Sequence, residues 1–167
     1  MPGGTIPDDL DIANLRAAVA IARRARERGN HPFGALLAAP DGRVLLEAEN
    51  TVVTGRDATG HAETNLVRAA TAVHDPEFLR GCTLYTSTEP CAMCAGAIYW
   101  GNIGRVVYAL GEDQLLALTG ADPENPTMAL PCRAVFAAGQ RALPVIGPVE
   151  LDEARAVHAG FWNRKPV

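Results

Sequence analysis

A three-layer α/β domain built on a mixed sheet is the fold this sequence predicts. Three observations carry that prediction. An apolar hairpin pattern opens the sheet near residue 33. Strand-like runs then alternate with helical ones, the pattern that covers a sheet on both faces. The chain has 167 residues, a length that suits one globular domain with a sizeable core of its own.

Residues 1–7 carry Pro2, Pro7, Gly3 and Gly4 and read as a flexible arm. Asp8 or Asp9 then caps a helix in which Ile12, Leu15, Val19 and Ala22 recur at helical spacing. Arg23, Arg24, Arg26 and Arg28 close it ahead of Gly29, as cations near a C-terminus and a following glycine would. The Arg run is expected to be solvated. Residues 33–39 and 44–50 form the hairpin around the turn Pro40-Asp41-Gly42. Residues 51–60 are polar and read as a loop. Residues 61–73 are helical, with Leu66, Val67 and Ala70 on one side. A strand at 83–87, a short apolar helix at 92–100, a strand at 105–110 and a short helix at 113–118 follow. Pro123, Pro126 and Pro131 make 120–131 a loop. A last strand at 143–146 and a last helix at 150–162 complete the pattern.

Composition narrows the function classes. No apolar run approaches the roughly 20 residues of a membrane-spanning helix. The first ten residues hold no basic stretch leading into an apolar one, so the chain reads as cytoplasmic. Fifteen basic against nineteen acidic side chains give a net charge of −4, which speaks against a dedicated nucleic-acid binder. Four cysteines are too few for a disulfide framework, and in a reducing compartment thiols serve as ligands, nucleophiles or small core residues.

Two short pieces carry the chemistry: His61-Ala62-Glu63 and Pro90-Cys91-Ala92-Met93-Cys94, each at a predicted helix start. Cysteines three apart share one helix face, so both sulfurs reach one metal ion. A helix N-terminus favours their thiolates. His61 makes a third ligand and leaves one tetrahedral position open, the mark of a catalytic zinc, which makes hydroxide at neutral pH. Glu63 stands beside the metal, placed to take a proton from water and hand it to a leaving group. Hydrolytic attack on an electrophilic carbon with an amine leaving is the chemistry favoured. A redox Cys-x-x-Cys would leave His61 and Glu63 without a use. A closed structural zinc site would need a fourth ligand, and Cys82, at a strand start, and Cys132, in a loop, have no partner at ligand spacing.

The spacing H-x-E…P-C-x-x-C is a signature of zinc-dependent nucleobase deaminases, and the sequence resembles the cytidine deaminase-like superfamily. The likeness runs from Pro32-Phe33-Gly34-Ala35 through Tyr85-Thr86-Ser87-Thr88-Glu89-Pro90-Cys91 to Ala97-Ile98-Tyr99-Trp100 and Arg105-Val106-Val107-Tyr108. It is most similar to bacterial guanine deaminases, which are related to transfer-RNA adenosine deaminases and yeast-type cytosine deaminase. The resemblance implies a three-layer α/β/α sandwich with a five-stranded mixed sheet, one zinc per subunit, and a homodimer with its active site near the interface. The whole of 1–167 would be one deaminase domain.

Position by position, the resemblance makes His61, Cys91 and Cys94 the zinc ligands and Glu63 the proton shuttle. It makes Asn50 an amide that hydrogen-bonds the base and Phe33 an aromatic lining the pocket. Ala62, between His61 and Glu63, joins the substrate contacts. Trp100 matches the Trp of the Ala-Ile-Tyr-Trp motif of guanine deaminases. Asp122, counted without a gap from Trp100, matches an Asp that reads the purine edge. Each has a local alternative: Asn50 and Asp122 as turn residues, Phe33 and Trp100 as packing. Tyr85 and Tyr108 are assigned to packing, His31 to a solvated loop with an approach to the pocket mouth as its alternative, and His74 and His158 to the surface.

The implied reaction is deamination of a small amino-heterocycle, guanine to xanthine and ammonia first among them. Cytosine, isoguanine, an amino-triazine, a free nucleoside and a transfer-RNA adenosine are the alternatives. The polar groups that choose among them are expected in residues 120–133 and the C-terminal tail.

Overall fold

The computed structural model describes residues 6–164. Apart from Ile6 and Pro7, the expected arm over 1–7 lies outside them. Helix α1 (Asp9–Glu27) starts at Asp8, whose side chain accepts from the Asp11 N–H at 2.8 Å while the Asp11 carboxylate accepts from the Asp8 N–H at 3.1 Å. This reciprocal cap satisfies two of the donors a helix start leaves open.

Strands β1 (Gly34–Ala38) and β2 (Val44–Glu49) form the hairpin. Short helix α2 (Val52–Gly55) and long helix α3 (Ala62–Val73) follow, then the one-turn helix α4 (Pro76–Leu79). Strand β3 (Thr83–Thr88) leads into α5 (Ala92–Trp100), and β4 (Arg105–Leu110) into α6 (Glu112–Thr119). Helix α7 (Cys132–Ala137), strand β5 (Val145–Ile146) and helix α8 (Asp152–Ala156) end the chain. The sheet order is β2-β1-β3-β4-β5. Strand β1 is antiparallel to both neighbours, and β3, β4 and β5 run parallel.

Alternation along the strands builds two cores. Ala35, Leu37, Leu84 and Val106 face α3 and α5, with Leu66, Ala95 and Ile98. Leu36, Ala38, Tyr85 and Val107 face α1, with Leu15, Val19 and Ala22. All six residues of β4 are buried, as expected of a central parallel strand covered on both faces. Gly34 is required where α1 crosses β1: a Cβ there would lie 2.4 Å from Ala22 N and 2.5 Å from Ala18 O.

The five-stranded mixed sheet between helical layers is the predicted fold. The differences are local. Helix α2 forms inside the expected loop 51–60, where Asn30 Oδ1 accepts from the Val53 and Thr54 N–H groups. Helix α7 occupies a segment read as loop, so Cys132 is a buried helical residue. The expected helix 150–162 is helical only over Asp152–Ala156; turns follow, with positive φ at Gly160 and Asn163. The Arg run is less solvated than expected: Arg24 pairs with Glu47 and Glu49, Arg28 with Glu49, and Arg26 donates to the Val157 and Ala159 carbonyls. Among the described residues, no helix is long and apolar enough to cross a membrane.

Candidate active site and metal centre

The site gathers where α/β sheets commonly place ligands, beyond the C-terminal ends of adjacent parallel strands. Thr88 at the end of β3 pairs with Leu110 at the end of β4, and the chain runs on from one to Cys91 and from the other to Glu112. Glu89 braces this edge, its carboxylate accepting from the Glu112 N–H at 3.0 Å and the Cys132 N–H at 2.9 Å.

His61 and Cys91 each hold the residue position before a helix, with extended backbone and no side-chain capping bond. Both side chains are therefore free to turn toward each other. His61 Nδ1 lies 3.5 Å from Cys91 Sγ and 3.5 Å from Cys94 Sγ, and the three ligand atoms lie within 4.8 Å of one another. A tetrahedral zinc, with Zn–N about 2.0–2.1 Å and Zn–S about 2.3 Å, separates N and S ligand atoms by roughly 3.6 Å. The two His61–sulfur distances fit such an ion. Hydrogen bonding from Cys94 and His61 draws the Cys91 thiol down to about 4, against the opposing effect of burial. The hydrogen bond with Cys91, then burial, then the charges of Glu63 and Cys91 push Cys94 well up, and a divalent cation at the cluster would offset that cost.

Glu63 is 5% exposed. Its Oε1 accepts from the Thr86 hydroxyl at 2.8 Å, and its Oε2 lies 3.5 Å from Cys94 Sγ. Burial, and then the negative charge of Cys91, push its carboxyl above the usual range. His61, Glu63 and Cys91 open on a cavity of about 370 Å³. Phe33, Glu112 and the loop residues Glu124 to Met128 line its other sides. Burial raises Glu112 to about 7, helped by the charges of Cys91, Glu89 and Glu63.

The remaining sequence-derived residues divide. Phe33 lines the cavity, its ring 5.5 Å from that of His158 and 6.0 Å from that of Trp162. Asn50 is 1% exposed. Its Oδ1 accepts from the Val52 N–H at 3.1 Å, the turn role its local alternative gave it, and it is not among the residues that line the cavity. Ala62, the first residue of α3, is buried in the core and does not line the cavity. Trp100 is 85% exposed at the end of α5 and does not line it either. Asp122 is a turn and anchor residue: its carboxylate accepts from the Glu124 and Asn163 backbone N–H groups. Gly120 with φ +55° turns the chain just before it, so the gapless count from Trp100 does not carry it to the cavity.

Two histidines also differ from expectation. His31 is buried, lines the cavity and holds Glu124 at 3.1 Å. His158 is 3% exposed, and its Nδ1 accepts from Trp162 Nε1 at 3.0 Å. His74 is half-buried against Phe78. The assignments of Tyr85 and Tyr108 to packing hold, with hydroxyl bonds to Asp11 and Arg133. Thr86 and Glu112 were not singled out in the sequence. A polar Thr86-Ser87-Thr88 run at the end of a strand, and an acid one glycine beyond the next strand, are the signals that point to them.

The description "Cytidine and deoxycytidylate deaminase zinc-binding region" matches residues 9–110. The chain is 41% identical to a protein named as a probable cytosine deaminase from Schizosaccharomyces pombe, over 93% of this chain and 94% of that one. It is 44% identical to the guanine deaminase of Bacillus subtilis over 57% of this chain and 61% of the other. The guanine deaminase structure from Nitrosomonas europaea superposes with a TM-score of 0.73 at 26% identity, over 92% of this chain and 84% of that one.

Proposed function

The chain belongs to the cytidine and deoxycytidylate deaminase zinc-binding family, whose chemistry is zinc-dependent deamination of a nucleobase, and from that premise we propose that its substrate is free guanine. Water and guanine then give xanthine and ammonia. The observation that carries a free base is the cavity wall. Among the described residues it holds four carboxylates, two histidines, one amide, two hydroxyls, the Cys91 thiol and apolar groups, and no Arg or Lys. A nucleotide's phosphate would meet no cation there, whereas the N–H groups of a base meet acceptors. Guanine presents ring N–H donors beyond the amino group that leaves, which suits an acceptor-rich wall. Phe33 supplies a ring face.

His61, Cys91 and Cys94 would hold the zinc, which would supply a Lewis acid that eases loss of a proton from water near neutral pH. Glu63 takes the proton from water and passes it to a ring nitrogen of the base. Hydroxide adds to the amino-bearing carbon. Glu63 then takes the proton of the newly added hydroxyl and gives it to the amine; the carbon–nitrogen bond breaks as the carbonyl forms, and ammonia leaves. Its buried position, with the pKa raised, suits both halves of that exchange.

Cytosine is the second reading, favoured by the likeness to the Schizosaccharomyces pombe protein, which spans nearly the whole of both chains. Ammonia release by the zinc-loaded protein from guanine, cytosine, isoguanine, an amino-triazine and their nucleosides decides between them. Guanine is expected to be the fastest substrate. Turnover of cytosine alone overturns the guanine assignment. A gel shift with transfer RNA, and its salt dependence, tests the editing alternative.

A further inference from the structure

We propose that Glu112 is a specificity-determining residue of this cavity, accepting a hydrogen bond from a ring N–H of the base on an edge other than the one that loses its amine. The inference rests on reading the cavity as a nucleobase site. Glu112 opens α6 directly after β4, so it enters the cavity from a different strand end than the Cys91 loop does.

The other carboxylates around the cavity are already engaged. Glu63 accepts from Thr86, Glu89 ties down the N–H groups of Glu112 and Cys132, and Glu124 holds His31. Glu112 differs. Its backbone N–H is spent on Glu89, while among the described residues nothing donates to its carboxylate and no cation pairs with it. A carboxylate drawn partly out of water with no donor is costly unless something fills the vacancy. An N–H of a flat base entering the cavity is the donor that chemistry supplies. Glu63 stands against the ligand cluster and so serves the reacting carbon. That leaves Glu112 for a second edge of the ring. The consequence is a preference for bases that keep a ring N–H there over bases alkylated at that nitrogen.

The test is a substrate-by-variant cycle on the zinc-loaded enzyme. Guanine is compared with 1-methyl-, 7-methyl- and 9-methylguanine, and cytosine with 1-methylcytosine if cytosine is the base turned over. Wild type is set against Glu112→Leu and, should Leu disturb the cavity, Glu112→Ala. Both variants must hold one zinc per chain. KM for the unmodified base is expected to rise about tenfold or more with kcat within about threefold. One methylated base should show the same loss with wild type and lose nothing further in the variant. Glu112→Gln, whose amide oxygen also accepts, should recover part of the affinity. Unchanged KM, or an equal added loss for every analogue, overturns the role of Glu112 while deamination stands. Wild-type enzyme that releases ammonia from no base overturns the nucleobase reading, and this inference with it.

Discussion

The Thr86 hydroxyl oxygen stands 2.8 Å from Glu63 Oε1 and 2.9 Å from the Thr88 carbonyl oxygen. A hydroxyl carries one hydrogen, so it donates to one of these partners at a time. When Glu63 is ionised, Thr86 donates to the carboxylate. When Glu63 carries a proton, Glu63 donates to Thr86, and Thr86 turns to the Thr88 carbonyl. Both protonation states of the buried carboxyl are thus satisfied without any backbone movement. Thr86→Val removes this switch and keeps the shape. The expected result is a fall in kcat of about tenfold with KM nearly unchanged and zinc retained. The bond from Thr86 favours the charged form of Glu63, so its loss raises the Glu63 pKa and moves the acid limb of the rate profile to higher pH. An unmoved limb would mean that Thr86 only packs.

The ligand and shuttle roles separate by metal content. Cys91→Ser replaces a sulfur that lies 3.5 Å from His61 Nδ1, and is expected to lose both zinc and turnover. Glu63→Gln leaves all three ligands in place. It should keep one zinc per chain and lose about a hundredfold or more in kcat. Metal analysis of the two purified variants beside their ammonia-release rates checks both. Stoichiometric zinc in Cys91→Ser would show that Cys91 is not a ligand, and full activity in Glu63→Gln would remove Glu63 from the chemistry.

The parts of this architecture that sequence reveals are those set by near neighbours. Helix α5 runs over Ala92–Trp100 and β4 over Arg105–Leu110, within the bounds that Pro90 before the one and Gly101 to Gly104 between them impose. The ligand cluster was legible because Cys91 and Cys94 share one helix turn and His61 starts another. What was not legible depends on distant residues meeting. His31 is buried because the C-terminal segment returns over it, placing the Trp162 ring 5.4 Å away. Nothing near residue 31 announces residue 162. His158 was misread for the same reason. Asp122 was assigned by counting along the chain, yet its carboxylate holds the Asn163 backbone, so it secures the returning tail rather than facing the cavity.

That returning tail has a pH sensitivity with a definite sign. Burial, and then the Arg26 charge, push His158 down to about 4 from the usual value near 6.5. The folded state therefore holds His158 neutral, with Nδ1 accepting from Trp162, while the unfolded chain takes up a proton in that window. Its contribution is complete above about 6.5 and is lost as pH falls toward about 4. At full effect it amounts to about 3 kcal/mol. Urea unfolding between pH 7 and 4.5 should show the wild type losing more stability than His158→Leu, which is less stable at pH 7 and flatter below it. Parallel curves would show that His158 does not carry the effect.

The final prediction concerns the ion pair beneath the sheet. Asp11 is 2% exposed. Its Oδ1 accepts from Arg105 at 2.9 Å and from the Tyr85 hydroxyl at 2.7 Å, and its Oδ2 accepts from Arg105 at 2.8 Å. Burial alone would raise its pKa, but the bonds from Arg105 and Tyr85 outweigh it and hold the carboxyl below its usual value. The pair ties α1 to β3 and β4, and its worth depends on both members being present. Removing one leaves the other charge buried and unmatched, at a cost of about 3–5 kcal/mol, whereas apolar replacement of both is close to neutral. Asp11→Ala also removes the reciprocal cap with Asp8, so it should be the worse of the two single changes. Arg105→Met is expected to cost less, since Tyr85 and the Asp8 N–H still donate to the carboxylate. The double variant Asp11→Leu/Arg105→Met should regain much of the loss, which chemical denaturation of the four proteins measures as a coupling energy. Because the folded Asp11 pKa lies below the unfolded one, its contribution is present above the ordinary carboxylate range and is lost as pH falls through the folded value. The acid-unfolding midpoint of Asp11→Ala should therefore lie higher than that of wild type. Losses that simply add would show that Asp11 and Arg105 act independently.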